Sequence, residues 1–137
     1  MALIHLDAGV LIGFLDSHDA HHDGSRGVIA DALRDGDDLA MAASALAETL
    51  VGPARAGSGA VVRVHDLVAA VPITIVTLDL DIATRAAELR ARHRRLRLPD
   101  ALVIASAIHE GADRLVTTDR RWPTNESLGL GGAITHP

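Results

Sequence analysis

Four acidic residues stand at the edges of apolar segments: Asp7 in Leu-Ile-His-Leu-Asp, Glu48 in Ser-Ala-Leu-Ala-Glu, Asp100 in Leu-Pro-Asp-Ala-Leu and Asp119 in Leu-Val-Thr-Thr-Asp. A carboxylate beside a core-forming segment is costly to desolvate without a partner. Several gathered together repel one another and resist ionisation. The simplest shared partner is a divalent cation, and oxygen-only ligands suit Mg²⁺ or Mn²⁺ better than zinc or copper. The chemistry would be hydrolysis of a phosphate ester, with activated water attacking phosphorus in line. Each acid alone has a plainer reading. Asp100, like Ser44, Asp79 and Asp81, fits a helix cap, and Asp119 before Arg120 and Arg121 fits a surface ion pair. Glu48 is harder to dismiss because it interrupts Ala-Leu-Ala-Glu-Thr-Leu-Val. The case rests on the set.

The elements that must position these acids alternate along the chain. Leu3–Leu6 reads as a buried strand and Val10–Leu15 as a short helix, followed by a polar connection or frayed helix start over His18–Ser25. Val28, Ile29, Ala32 and Leu33 have helical spacing, and Asp35-Gly36-Asp37-Asp38 marks a turn. Leu39–Ala43 is an Ala-rich second strand. Ser44 is the expected N-cap of a helix carrying Glu48, and Gly57-Ser58-Gly59 separates it from a second helical stripe, Val61–Val68. Ile73–Leu78 is the clearest strand. Asp79 or Asp81 caps the next helix, expected to run to about Arg95. Pro99 suits a helix N1 position, and that helix ends at Gly111. Arg114–Thr117 is the next strand, and Ala133–Thr135 an added edge strand. Strands alternating with helices predict an α/β fold with a mainly parallel sheet.

In such a sheet ligands bind beyond the carboxyl ends of the strands. Asp7 directly follows the first strand, Asp119 closely follows the Arg114–Thr117 strand, and Glu48 opens the helix after the second. These three are expected at one sheet edge. Asp100 follows a helix and a loop, so topology does not force it there, although a helix N-terminus favours a carboxylate.

Composition narrows the alternatives. The 137 residues predict a single domain over 1–137, and 48% are hydrophobic, with Phe14 and Trp122 the only aromatics. There is no cysteine, which excludes disulfides, thiol catalysis and zinc–thiolate sites. All 13 basic residues are Arg. Without Lys, a P-loop, a Schiff-base enzyme and a receiver-type site all fall. The net charge of −5 argues against coating nucleic acid by bulk charge, but not against a local basic patch. The N-terminus lacks the basic region of a signal peptide and no apolar run is long enough for a membrane span, which points to a cytoplasmic protein.

Through these segments the chain resembles the PIN-domain nucleases, especially the VapC-type toxins of bacterial toxin–antitoxin pairs. Leu6-Asp7-Ala8, the helical Glu48, Leu98-Pro99-Asp100 through Ala107, and Leu115 through Asp119-Arg120-Arg121-Trp122 follow the family's order and spacing. The resemblance implies a three-layer α/β/α fold around four to five strands. It implies a Mg²⁺- or Mn²⁺-dependent site formed by Asp7, Glu48, Asp100 and Asp119, endonucleolytic cleavage of RNA (tRNA or rRNA among the targets), a homodimer and a VapB-like antitoxin. Thr117 and Thr118 flank the last acid, and Thr117 matches a hydroxyl position that orients an acid or water. One departure stands out: many relatives carry Ser or Thr just after the first acid, where this chain has Ala8-Gly9.

Further candidates lie outside the acids. Arg90, Arg94 and Arg97 have the spacing of one helical face able to grip RNA phosphate near Asp100, or to meet an antitoxin. His18, His21 and His22, with Asp19 and Asp23, lack the spacing of a known metal site. His5 inside the first strand is expected as a satisfied core or interface residue. Trp122 is expected to pack over the last strand end, with base stacking as the alternative. Two rival functions remain: a non-catalytic RNA-binding module, and a small-molecule phosphatase. The haloacid-dehalogenase type of phosphatase is disfavoured by Gly9, which stands where a second Asp is required.

Overall fold

In the computed structural model, which describes residues 1–137, strand β1 (Leu3–Leu6) leads into helices α1 (Ala8–Leu15) and α2 (His22–Asp35). Strand β2 (Asp38–Ala42) leads into α3 (Ala43–Ala56) and α4 (Ser58–Ala70), and β3 (Ile73–Val76) into α5 (Leu80–Arg92) and α6 (Leu98–His109). Strand β4 (Arg114–Val116), the short helix α7 (Asn125–Leu128) and β5 (Ala133–Thr135) complete the chain. The strands form one sheet in the order β3-β2-β1-β4-β5, every pair parallel, flanked by helices.

The sheet runs outward from β1 through β2 to β3, then returns to the other side of β1 for β4 and β5. Strand order therefore reverses between β1 and β4, the switch point where open α/β sheets bind ligands. Strand β2 has weak intrinsic propensity, yet Leu39, Ala40, Met41 and Ala42 are all buried between β1 and β3. Position in the sheet, rather than residue preference, makes it a strand. The core is aliphatic, and α6 buries Ala101, Val103, Ile104, Ala105 and Ala107 within it. That burial leaves Asp100, in its first turn, as the helix's one acid.

The turn acids tie down the start of β1. Gly36 takes a left-handed conformation (φ 72°) to end α2, which glycine tolerates best. Asp37 Oδ1 then accepts the Ala2 amide at 2.8 Å, and Asp113 Oδ2 accepts the Leu3 amide at 2.8 Å. Several expectations need correction. Helix α2 starts at His22, so the stretch read as a connection or frayed helix start is divided between the two. Helix α3 follows β2 without a loop, so Ala42 occupies the cap and Ser44 lies inside the helix. Of the two cap candidates for α5, Asp79 is the one used, accepting the Ile82 amide at 2.9 Å. Helix α5 ends at Arg92, and Pro99 follows Leu98 in the first turn of α6. Helix α7 had no clear sequence signal. No helix is long and apolar enough to cross a membrane.

Helices α5 and α6 pack against each other as a hairpin. Asp79, capping the start of α5, lies 3.9 Å from His109 at the end of α6. The turn of this hairpin, His93–Arg97, is thereby carried to the acidic edge of the sheet, where it shares a cavity with Asp100 and Asp119.

Candidate active site

Asp7 is the buried centre of the site. It caps α1, and its Oδ1 accepts the Ala8 amide at 2.8 Å. Its Oδ2 accepts the Thr117 hydroxyl at 2.8 Å, and its backbone amide donates to Val116 O at 2.9 Å across β1–β4. Burial pushes its carboxyl up from 3.8 to about 6. The two hydrogen bonds oppose that shift, while the charges of Asp100 and Glu48 add to it. Those couplings place both acids in Asp7's electrostatic neighbourhood.

Thr117 joins the first and last acids. It is fully buried, and its Oγ1 donates to Asp7 and accepts the Asp119 amide at 3.1 Å. Its own backbone is held on both sides: the amide donates to Thr135 O at 3.1 Å, and its carbonyl lies 2.7 Å from His136 Nδ1. The end of β5 and the residue after it thus brace the site, a role that no sequence signal announces.

Thr118 bears on the Ala8-Gly9 departure. A side chain at Gly9 would run into Thr118 Oγ1. Thr118 thus packs against Gly9, whose missing side chain supplies the room.

Arginines of the chain engage the two remaining aspartates. Arg121 forms a fork on Asp119, with Nε 3.1 Å from Oδ1 and Nη2 3.0 Å from Oδ2, and its amide adds a 2.8 Å bond to Oδ1. This pairing holds the Asp119 carboxyl below its ordinary range. Arg97 Nε lies 3.3 Å from Asp100 Oδ2. The Asp119 ion pair anticipated from sequence exists, with Arg121 as its partner. Both arginine side chains are exposed, 86% for Arg121 and 70% for Arg97, so water and salt compete readily for their pairs.

The donor set fits Mg²⁺ or Mn²⁺: four carboxylates from separate segments, with the buried one resisting ionisation until a positive charge arrives. The charges of Asp100 and Glu48 reach Asp7, but the carboxylates do not close into a cage. As they stand, no three His, Asp or Glu side chains could hold one ion together. Swinging the exposed Arg97 and Arg121 aside would free two of them.

The other candidates separate. Arg90 lies on α5, whereas Arg94 and Arg97 lie beyond its end in the hairpin turn, so the expected single helical face does not form. His22 Nδ1 lies 2.8 Å from Gly13 O, while the His18 side chain is 95% exposed, so the histidines make no common site. His5 is fully buried, but neither ring nitrogen has a partner, against the expectation of a satisfied residue. Trp122 packs against the core and also lines a cavity beside Asp100 and Asp119. Of the two arginines that the sequence offered to Asp119, Arg121 is the partner, because an Arg two residues after an Asp is within reach of a local fork.

The sequence matches the PIN domain family over residues 4–126, and the chain belongs to that family. Among curated proteins no match was found. Similar solved structures include VapBC2 from Rickettsia felis bound to a promoter DNA fragment, at 15% identity and TM-score 0.75, with 98% of each chain covered. A toxin–antitoxin complex from Klebsiella pneumoniae aligns at 21% identity and TM-score 0.67, covering 98% of this chain and 97% of that one. Mycobacterium tuberculosis VapC20, described as a Sarcin-Ricin loop cleaving toxin, aligns at 19% identity and TM-score 0.69 over 86% of this chain and 91% of its own. At these identities the likeness is one of fold.

Proposed function

We propose that this chain is a Mg²⁺- or Mn²⁺-dependent endoribonuclease acting as the toxin of a toxin–antitoxin pair. The observation that carries the reading is the Asp7–Thr117–Asp119 linkage at the β1–β4 switch point, with Asp100 and Glu48 close enough to raise the Asp7 pKa. A buried carboxylate held at that cost is explained by cation binding, and a non-catalytic module would leave it unexplained. Asp7, Asp100, Asp119 and Glu48 would hold the ion. A divalent cation there would activate water and neutralise charge on the phosphoryl oxygens. Thr117 fixes the Asp7 and Asp119 geometry, and the arginines of the hairpin turn bind the substrate's phosphates. The attacking water would form the new P–O bond while the bond to the leaving sugar oxygen breaks and that oxygen takes a proton.

The family membership and the toxin–antitoxin complexes among similar folds support a VapB-like antitoxin as partner. Val51 on α3 and Val62 on α4 are about half exposed and offer apolar surface to a second copy or to the antitoxin. The test is cleavage of RNA with Mg²⁺ or Mn²⁺ against EDTA, comparing wild type with Asp7→Asn and Asp119→Asn. Product is expected only from wild type with metal. Equal cleavage by all three proteins, or cleavage indifferent to EDTA, overturns the assignment.

A further inference from the structure

A cavity of about 590 Å³ opens beside Asp100 and Asp119. This volume lies within the roughly 300–1,000 Å³ of sites that enclose small molecules. Arg94, Arg95 and Arg97 of the hairpin turn line the cavity, together with Arg121 and Trp122 from the segment after β4. Four of 13 arginines in a chain of net charge −5 thus converge on one recess. Such focusing draws an anion to a point rather than coating the surface with it. Arg97 and Arg121 already face carboxylates, whereas Arg94 and Arg95 make no ion pair within the chain and remain for an external phosphate.

The aromatic wall defines the rest of the ligand. Trp122 is the only tryptophan, and the one other aromatic, Phe14, packs against the core. Trp122 lines the cavity and its Nε1 is buried without an acceptor, so whatever part of the indole borders the cavity is carbon. Leaving that N–H unpaired has a cost, which a smaller apolar residue would avoid. Carbon of an indole beside guanidinium groups suits a nucleobase attached to phosphate. A base within an A-form duplex is already stacked and paired, so it cannot enter such a recess.

We propose that this cavity is a subsite for one unpaired, unstacked nucleotide of an RNA strand, seated next to the cleaved bond. Its base stacks on Trp122 and its phosphates meet Arg94 and Arg95. The substrate class and the adjacency to cleavage rest on the nuclease reading, but occupancy of the subsite can be measured without catalysis.

The sole tryptophan is its own reporter. Wild-type protein in EDTA would be titrated with a short unstructured RNA and, separately, with the same RNA annealed to its complement. Emission and the anisotropy of labelled RNA would both be followed. Saturable change in Trp122 emission is expected with the single strand and little with the duplex. Trp122→Ala should weaken single-strand binding roughly 5- to 150-fold, while Trp122→Phe keeps most of it. Arg94→Gln with Arg95→Gln, both at exposed positions, should flatten the log–log salt dependence by roughly 0.7 per arginine. Binding with unchanged emission, equal affinity of Trp122→Ala and wild type, equal binding of duplex, or no binding at all overturns the subsite. Metal-dependent cleavage without an emission change removes the subsite and leaves the nuclease reading. An emission change with no cleavage under any metal does the reverse.

Discussion

A single hydroxyl oxygen governs the geometry of two of the four acids. Thr117 Oγ1 donates to Asp7 and accepts the Asp119 amide, with no solvent contact. Groups that orient ligating residues typically contribute ~10–100-fold to metal affinity or activity. Thr117→Val keeps the shape and removes both bonds, so it should lower cleavage or metal affinity by about that factor, whereas Thr117→Ser should retain most of it. Cleavage rates across a metal titration decide the matter; a Thr117→Val enzyme matching wild type throughout would show that the hydroxyl positions nothing. The sequence marked Thr117 through its place before Asp119. It could not show that both acids share one oxygen, because that contact spans 110 residues.

At the scale of elements, the site depends on β5 being paired. Strand β5 lies against β4 because Gly132 passes close to the backbone carbonyls of Ala112 and Asp113, where any Cβ would collide. Those are backbone atoms and cannot rotate away. Gly132→Ala should therefore cost about 2–3 kcal/mol and loosen the Thr135 and His136 bonds to Thr117. Thermal melts should show the loss, with faster amide exchange in β5 than in β1. Unchanged melting and exchange would mean that β5 is not held by this approach. The strands themselves were largely legible, since parallel strands buried on both faces read as apolar runs. The boundary of α5 was not, because arginines continue past the point where the hairpin turns.

For the molecule as a whole, two buried groups set opposing pH dependences. Burial holds the His5 imidazole down, from 6.5 to about 4. The unfolded chain binds that proton first, so this contribution is present above 6.5 and is lost as pH falls through about 4. Asp7 is raised from 3.8 to about 6, so the native state binds its proton first. That contribution is present below 3.8 and is lost as pH rises through about 6. Each shift corresponds to on the order of 3 kcal/mol, and the two oppose each other in the shared window. Denaturant unfolding in EDTA should give a wild-type profile flatter than either variant's. His5→Leu should lose stability as pH rises toward 6, and Asp7→Asn should gain stability with pH over the same range. At neutral pH His5→Leu should also be more stable by about 1–3 kcal/mol, since it removes two unpartnered nitrogens. Parallel profiles for all three proteins would refute this account.

The sequence by itself determined the alternation of elements, the aliphatic core, and the place of Asp7 and Asp119 beyond their strands. Those follow from local apolar patterning and from the rule that parallel sheets bind at their carboxyl edge. Strand topology could not place Asp100, which the resemblance alone assigned to the site. The packing of α5 on α6 sets where the start of α6 points and brings Asp100 beside Asp119. Tertiary structure alone decided that Arg97 and Arg121 rest on the acids, that Arg94 and Arg95 are left unpaired, and that Trp122 faces both core and cavity. Residue type and spacing specify what each side chain can do, while long-range packing specifies which of them meet.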